Sequence, residues 1–365
     1  MFMSVHDVIR RAAGARLPDV LVSLQLRGGE IVDDQYEIGG LLGFGSTGFV
    51  FSARRLHFGD EVAIKILRPE FLWDGELVQR FIQNARAAVK IKSEHVARVL
   101  DVGQLPDGAP FIVMEKLRGR ELSGALAGSG FLPIDTAIDY VLQACEALAF
   151  AHSVGVVHGD IQPANLFLEE RPDHTEWIKV LDFGVANVTL PAETEGSDIP
   201  AGGATQALGS PVYMSPEQIR FTADIDGRAD IWGLGCVLHE LLTGEAAFDA
   251  PSLPELGAMI LEREPARLRS LRSSVPHELE AIVARCLMKD RDQRFLDIAE
   301  LAVALRPLAS PRSYPSVQYC CQLAGRPELA DRATIDEVPS PVPELTRERA
   351  VATTSSSLFP HALPV

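Results

Sequence analysis

The sequence predicts an α+β fold in which a small β-rich part with one helix precedes a larger, mostly helical part. Three observations carry that expectation. Strand-like runs bracket a glycine-rich turn, Gly43-Phe44-Gly45-Ser46-Thr47-Gly48, and resume at Val62-Ala63-Ile64-Lys65. Apolar residues recur at helical spacing from Pro133 to about residue 305. Within that second part, Asp160 and Asn165 stand five positions apart in one loop, and Asp182 follows beyond a short hairpin.

Composition bounds the possibilities. With 365 residues, 47% of them hydrophobic, the chain has ample apolar material for a sizeable core. A formal charge of −16 argues against a nucleic-acid partner or an anionic membrane surface. The best apolar run, Ile231 to Leu242, is too short to span a bilayer and contains His239 and Glu240. Met1 to Gly14 has no apolar signal core, so the expectation is a cytoplasmic chain without a membrane span. Cys145, Cys236 and Cys286 fall on apolar helix faces and read as buried free thiols, whereas Cys320 and Cys321 are adjacent in what reads as a tail.

In chain order, residues 1–33 read as an extension, with an alternating stretch from Leu17 to Leu26 of no assignable role. Tyr36-Glu37-Ile38 enters the first strand, and Gly43, Gly45 and Gly48 let backbone N–H groups approach phosphates with no Cβ in the way. A dinucleotide fold uses similar glycines, but there the last one opens a helix. Here Phe49-Val50-Phe51 continues as strand, so the glycines form the turn of a hairpin. Lys65 is then either an ordinary exposed strand lysine or a phosphate partner. A helix is expected from about Glu76 to Lys92, with Leu77, Phe81, Ile82, Ala85, Ala88 and Val89 on its apolar face. Two more strands follow at His95 to Val102 and Pro110 to Met114, and Pro133 opens a long helix.

That helix delivers the chain to Val157-His158-Gly159-Asp160-Ile161-Gln162-Pro163-Ala164-Asn165-Leu166-Phe167, followed by Leu181-Asp182-Phe183-Gly184. Such spacing can place three oxygen-bearing side chains around one Mg-bound triphosphate. In that reading Asp160 orients an attacking hydroxyl and accepts its proton, while Asn165 and Asp182 hold Mg²⁺. Each piece alone is weak, since a loop Asp commonly caps a helix or a turn. Together with Gly209-Ser210-Pro211-Val212-Tyr213-Met214-Ser215-Pro216-Glu217-Gln218, however, they make residues 34–307 resemble the protein kinase superfamily, in particular the bacterial kinases of eukaryotic Ser/Thr type.

The resemblance implies a bilobal protein kinase-like fold, with an N-lobe over 34–117, a C-lobe over 118–307, ATP and Mg²⁺ in the cleft, and protein substrates or signalling partners. It makes Lys65 the partner of the α- and β-phosphates and lays Val50 and Ala63 over the adenine. Met114-Glu115-Lys116-Leu117 becomes the hinge, with Met114 gating the pocket behind it. Glu121 is assigned to the ribose, although a carboxylate in the first turn of a helix reads the same way. Phe167 joins the nucleotide-binding set. Glu217 is expected to pair with Arg294, and Asp230 to bond the catalytic-loop backbone from a buried helix ended by Gly244. Ser210 aligns with a residue that touches the catalytic Asp. The polar stretch from Pro191 to Gly209, offering Thr194, Ser197 and Thr205, reads as an activation loop, and residues 308–365 as a flexible Pro/Ser/Thr-rich tail.

Three positions depart from the family pattern. Asn84 stands where active kinases place a Glu that pairs with the strand lysine, and neither Glu76 nor Glu94 is placed to substitute. Gln162 replaces a lysine that contacts the γ-phosphate, and Gly159 replaces an arginine that clamps a phosphorylated activation loop. The loop text also resembles that of aminoglycoside and choline phosphotransferases, which manage without that lysine. Three functions therefore compete: a Ser/Thr protein kinase slowed by Asn84 and Gln162, a pseudokinase that binds nucleotide as a scaffold or regulator, and a small-molecule phosphotransferase. The peptide-positioning segment up to Gln218 and the Asp230 helix favour a protein substrate.

Overall fold

The computed structural model describes residues 28–45, 47–183, 211–222 and 224–331. The extension before residue 28, the Pro191 to Gly209 segment with its three hydroxyl residues, Gly184 and Ser210 lie outside them. Strands β1 (Ile31–Val32), β2 (Tyr36–Phe44), β3 (Gly48–Arg55), β4 (Glu61–Leu67), β5 (Val99–Gln104) and β6 (Pro110–Glu115) form one antiparallel sheet in the order β1-β2-β3-β4-β6-β5. Phe49, Phe51 and Ala53 alternate inward on β3, as a half-buried strand requires, whereas β4 is buried along almost its whole length. One face of the sheet meets helix α1 (Gly75–Lys90) through Leu67, Phe81, Ala85 and Ile112.

Helix α1 starts just before the expected position because Asp74 caps it, its carboxylate accepting from the N–H groups of Glu76 (3.0 Å) and Leu77 (3.1 Å). The strand expected from His95 begins only at Val99. Residues 95–97 bond instead to β9 (Glu176–Val180): Val180 N donates to His95 O at 2.8 Å and Ala97 N to Val180 O at 3.1 Å. The small lobe is thereby stitched to the large one.

Strands β7 (Gly119–Glu121), β8 (Leu166–Glu170) and β9 make a second, three-stranded sheet that carries the catalytic loop into the large lobe. The rest of that lobe is helical: α2 (Leu122–Ser129), α3 (Ile134–Ser153), α4 (Pro216–Ile219), α5 (Arg228–Thr243), α6 (Leu253–Glu262), α7 (Leu268–Leu271), α8 (His277–Cys286), α9 (Ile298–Leu305) and α10 (Tyr314–Leu323). Helix α5 is buried from Ala229 to Leu242 and stops at Gly244, whose N–H bonds Glu240 O at 2.7 Å. No described helix is long and apolar enough to cross a membrane.

The expectation of a flexible tail from residue 308 is corrected for the part described. Helix α10 packs on α3 and α9, and Val317, Cys320 and Cys321 join the core of the large lobe. Asp139 on α3, 1% exposed, accepts from Ser310 Oγ (2.7 Å), Arg312 Nε (2.7 Å) and Ser313 Oγ (2.6 Å) and so anchors the segment. Arg326 ties the far end to Asp297, the capping residue of α9. Proline at its second position is compatible with a helix start, and Val317-Cys320-Cys321 keep helical spacing, so the composition of residues 308–365 concealed a short periodic element.

Candidate active site

The glycine turn is a hairpin, as its strand-like continuation predicts. A Cβ at Gly48 would lie 2.6 Å from the Ile66 carbonyl oxygen, so β3 can cross β4 there only without a side chain. At Gly43 and Gly45 an added Cβ would meet nothing within 4 Å, which leaves open space beside the turn. Sequence reasoning missed the anchor of this turn. Arg68 follows β4 and donates from Nη2 (2.9 Å) and Nε (3.2 Å) to Gly45 O, with its guanidinium over the Phe49 ring at 5.2 Å.

Lys65 is 7% exposed, which removes the reading of an ordinary surface lysine. Its ammonium pairs with Asp182 Oδ2 at 2.7 Å rather than with a carboxylate on α1. Asn84 and Lys65 line one cavity of about 90 Å³ together with Phe81, Met114, Asp182 and Phe183. Glu76 is engaged by Arg80 (3.1 Å) and Glu94 by Arg171 (3.5 Å), and neither stands in for the absent carboxylate. Met114 is one of the residues that line this cavity.

Asp182 has φ +58°, a left-handed conformation that costs a non-glycine residue free energy. The Lys65 pair holds it, and so does the bond from Leu181 N to Asn165 O (2.9 Å). Phe183, 3% exposed, packs edge-on to His158 at 4.7 Å.

The catalytic loop is organised by buried groups. His158 is fully buried, and burial pushes its pKa down, keeping it neutral. One ring nitrogen, Nε2, donates to Leu181 O (2.7 Å), leaving Nδ1 to accept from Asp160 N (3.1 Å). Asp230, at the start of α5 with 0% exposure, accepts from His158 N (2.9 Å) and Gly159 N (2.7 Å), as expected, and also from His152 Nε2 (2.7 Å). Burial acts to raise its pKa, but those donors outweigh it and hold the carboxyl below its ordinary value.

Asp160 is half-buried. Its Oδ1 accepts from Gln162 Nε2 and its Oδ2 from Asn165 Nδ2, both at 2.8 Å, and Asn165 Nδ2 also donates to Asp160 O at 2.8 Å. Desolvation pushes the Asp160 carboxyl up to about 7 against those two neutral donors. Both amide oxygens, Asn165 Oδ1 and Gln162 Oε1, are free of these bonds.

The remaining expected positions are framed as follows. Val50 lies opposite Lys65, and Ala63 opposite Met114, on neighbouring strands of the small lobe. Glu115 spends its side chain on structure, taking Arg98 N (3.0 Å), Arg98 Nε (3.2 Å) and Lys179 Nζ (3.0 Å). Among the described residues no hydrogen bond engages the Leu117 backbone. Glu121 pairs with Phe167 across β7 and β8, is exposed, and accepts from Ser123 Oγ at 3.1 Å at the start of α2. Arg294 binds Glu217 through both terminal nitrogens (2.7 and 2.8 Å) in a buried pair, as expected.

Residues 36–302 match the family model for the protein kinase domain. The chain belongs to the protein kinase family. It is 33% identical over 321 residues to serine/threonine-protein kinase PknB of Mycolicibacterium smegmatis, an alignment covering 86% of this chain and 49% of that protein. With PknB of Mycobacterium leprae the figures are 30% over 326 residues, 85% and 51%, and with the kinase pkn3 of Myxococcus xanthus 34% over 268 residues, 73% and 48%. The chain thus spans about half the length of these relatives. Among solved structures, the kinase domain of Mycobacterium tuberculosis PknI superposes with a TM-score of 0.61 at 25% identity, covering 77% of this chain and 98% of that one. In this chain Lys65 is paired with Asp182 and Asp160 is bonded to Asn165 and Gln162.

Proposed function

We propose that this kinase domain is an ATP- and Mg²⁺-dependent Ser/Thr protein kinase whose turnover is slowed by Asn84 and Gln162. The observation that carries the reading is the Lys65–Asp182 pair at 2.7 Å with Asp160 and Asn165 bonded beside it, because these are the groups hardest to replace in phosphoryl transfer. The residues fit the nucleotide and its metal. Asp182 and Asn165 offer hard oxygen donors suited to Mg²⁺, and the space at Gly43 and Gly45 lets backbone N–H groups meet phosphate oxygens. When bound, Mg-ATP supplies the transferable phosphoryl group and a cation that neutralises charge on it.

The chain's own residues do the rest. Lys65 presents a buried ammonium to the α- and β-phosphates. Val50, Ala63 and Phe167 enclose the adenine; Met114 to Leu117 offer backbone groups at its edge, and Glu121 lies near the ribose. Asp160 accepts the proton of the attacking Ser or Thr hydroxyl. Its position is fixed by the neutral Gln162 and Asn165 amides instead of a lysine, which removes one cation from the developing charge. Five free thiols and the need for ATP suit the cytoplasm.

Asn84 and Gln162 favour a second reading, a pseudokinase that binds nucleotide without turnover. To separate the readings, labelled γ-phosphoryl transfer from ATP is followed in wild type and Asp160→Ala and the product hydrolysed. Phosphoserine or phosphothreonine formed only by wild type supports the kinase. Label found solely on an added aminoglycoside would support a small-molecule enzyme, and no label in either protein the pseudokinase.

A further inference from the structure

We infer that Gln218 is a positioning residue for the catalytic loop, holding the peptide that precedes Asp160. Gly159 has φ +73°. A residue with a Cβ is restricted there, and glycine is not, so the backbone beside Asp160 has more freedom than a side chain would leave it. Something else must fix it. The Gly159 N–H is held by Asp230 Oδ1 (2.7 Å), and its carbonyl accepts from Gln218 Nε2 at 2.6 Å. Among the described residues that carbonyl has no other partner. One residue is thus clamped from both sides, by α5 and by α4, and the next residue is the proposed base.

The Gln218 amide is itself held. Its Oε1 accepts from Ser215 N (2.9 Å) and Ser215 Oγ (3.1 Å) in the capping box that begins α4. Ser215 is fully buried, and the neighbouring Glu217 is locked to Arg294, so α4 is a rigid support. The amide has two ends with separate tasks: the oxygen caps α4 and the nitrogen reaches the catalytic loop. Movement of α4, which begins at the peptide-positioning segment, is thereby passed to Asp160 through one hydrogen bond.

The two tasks can be divided by substitution. Gln218→Glu keeps an oxygen for the capping box and loses the donor to Gly159. Gln218→Lys keeps a donor and loses the cap. The inference rests on the kinase reading for its activity test, which is the autophosphorylation rate of the full chain at saturating Mg-ATP, with its KM for ATP. A misplaced reacting group costs up to about 10²-fold, so Gln218→Glu should lower the saturated rate by roughly tenfold or more with KM nearly unchanged, while Gln218→Lys, which keeps a donor, should lower it less. The reverse order would show that Gln218 only caps α4 and would overturn the inference. Hydrogen exchange of residues 158–162 gives the answer even when wild type transfers no phosphate, an outcome that sinks the kinase reading alone. Faster exchange in Gln218→Glu than in Gln218→Lys supports the clamp, and equal exchange in all three proteins rejects it.

Discussion

Gln162 shows how one side chain can keep geometry while giving up charge. Its amide donates to the same carboxylate that Asn165 holds, so Asp160 is oriented, yet position 162 brings no ammonium. Removing one preorganised donor of developing charge lowers kcat by about 10²–10³, so Gln162→Lys should raise the phosphoryl-transfer rate. Asn84→Glu should raise it as well by giving Lys65 a second carboxylate, and the two gains should combine less than additively because both act on one triphosphate. Steady-state rates of the two single variants and the double variant check this. The buried Arg294–Glu217 pair serves stability instead. Arg294→Met strands an uncompensated carboxylate and should cost about 3–5 kcal/mol in urea unfolding, whereas Arg294→Met with Glu217→Met should recover most of the loss. That pair, and Asp230 on the loop backbone, were legible because the family resemblance identifies both partners. The His152 bond to Asp230, the Arg68 bond to Gly45 and the Gln218 bond to Gly159 were not, since each joins a common residue type to a backbone or side chain remote in sequence. Only Gln218 carried a local signal, the Ser-x-x-Gln capping pattern, and that signal speaks for one end of its amide.

Elements with a strong period were read correctly, and elements whose period is short were not. Helices α3 and α5 announce themselves by long apolar stripes, and the glycine hairpin by strands on either side. The start of β5 was misread because residues 95–97 bond to β9 across the lobes, a tertiary choice that local pattern does not encode. Helix α10 was missed because ten residues sit between Pro/Ser-rich segments. Its packing makes a definite claim: a chain ending at Pro307 exposes the faces of α3 and α9 that α10 covers. Loss of about 2 kcal/mol there corresponds to roughly 3 °C in a domain of about 300 residues, so calorimetry should show a melting point lower by about 3 °C. An unchanged melting point would mean that α10 adds nothing to the fold.

At the scale of the molecule, the two lobes are joined by the bonds between residues 95–97 and Val180 and by the Lys65–Asp182 pair. A ligand that binds only the folded cleft must stabilise the whole chain. At a hundredfold excess over Kd that gain is about 2.7 kcal/mol, so Mg-ATP should raise the melting point of wild type, and Lys65→Ala should reduce the shift at equal nucleotide concentration.

The central claim is that this cleft transfers phosphate although amides stand at positions 84 and 162. Its most direct test is the single-turnover rate of Mg-dependent autophosphorylation in wild type, Asp160→Ala and Gln162→Lys. A slow but measurable wild-type rate, none above background in Asp160→Ala and a faster one in Gln162→Lys is the predicted result. If wild type is as silent as Asp160→Ala and Gln162→Lys stays silent too, the claim is contradicted and the domain is a nucleotide-binding scaffold.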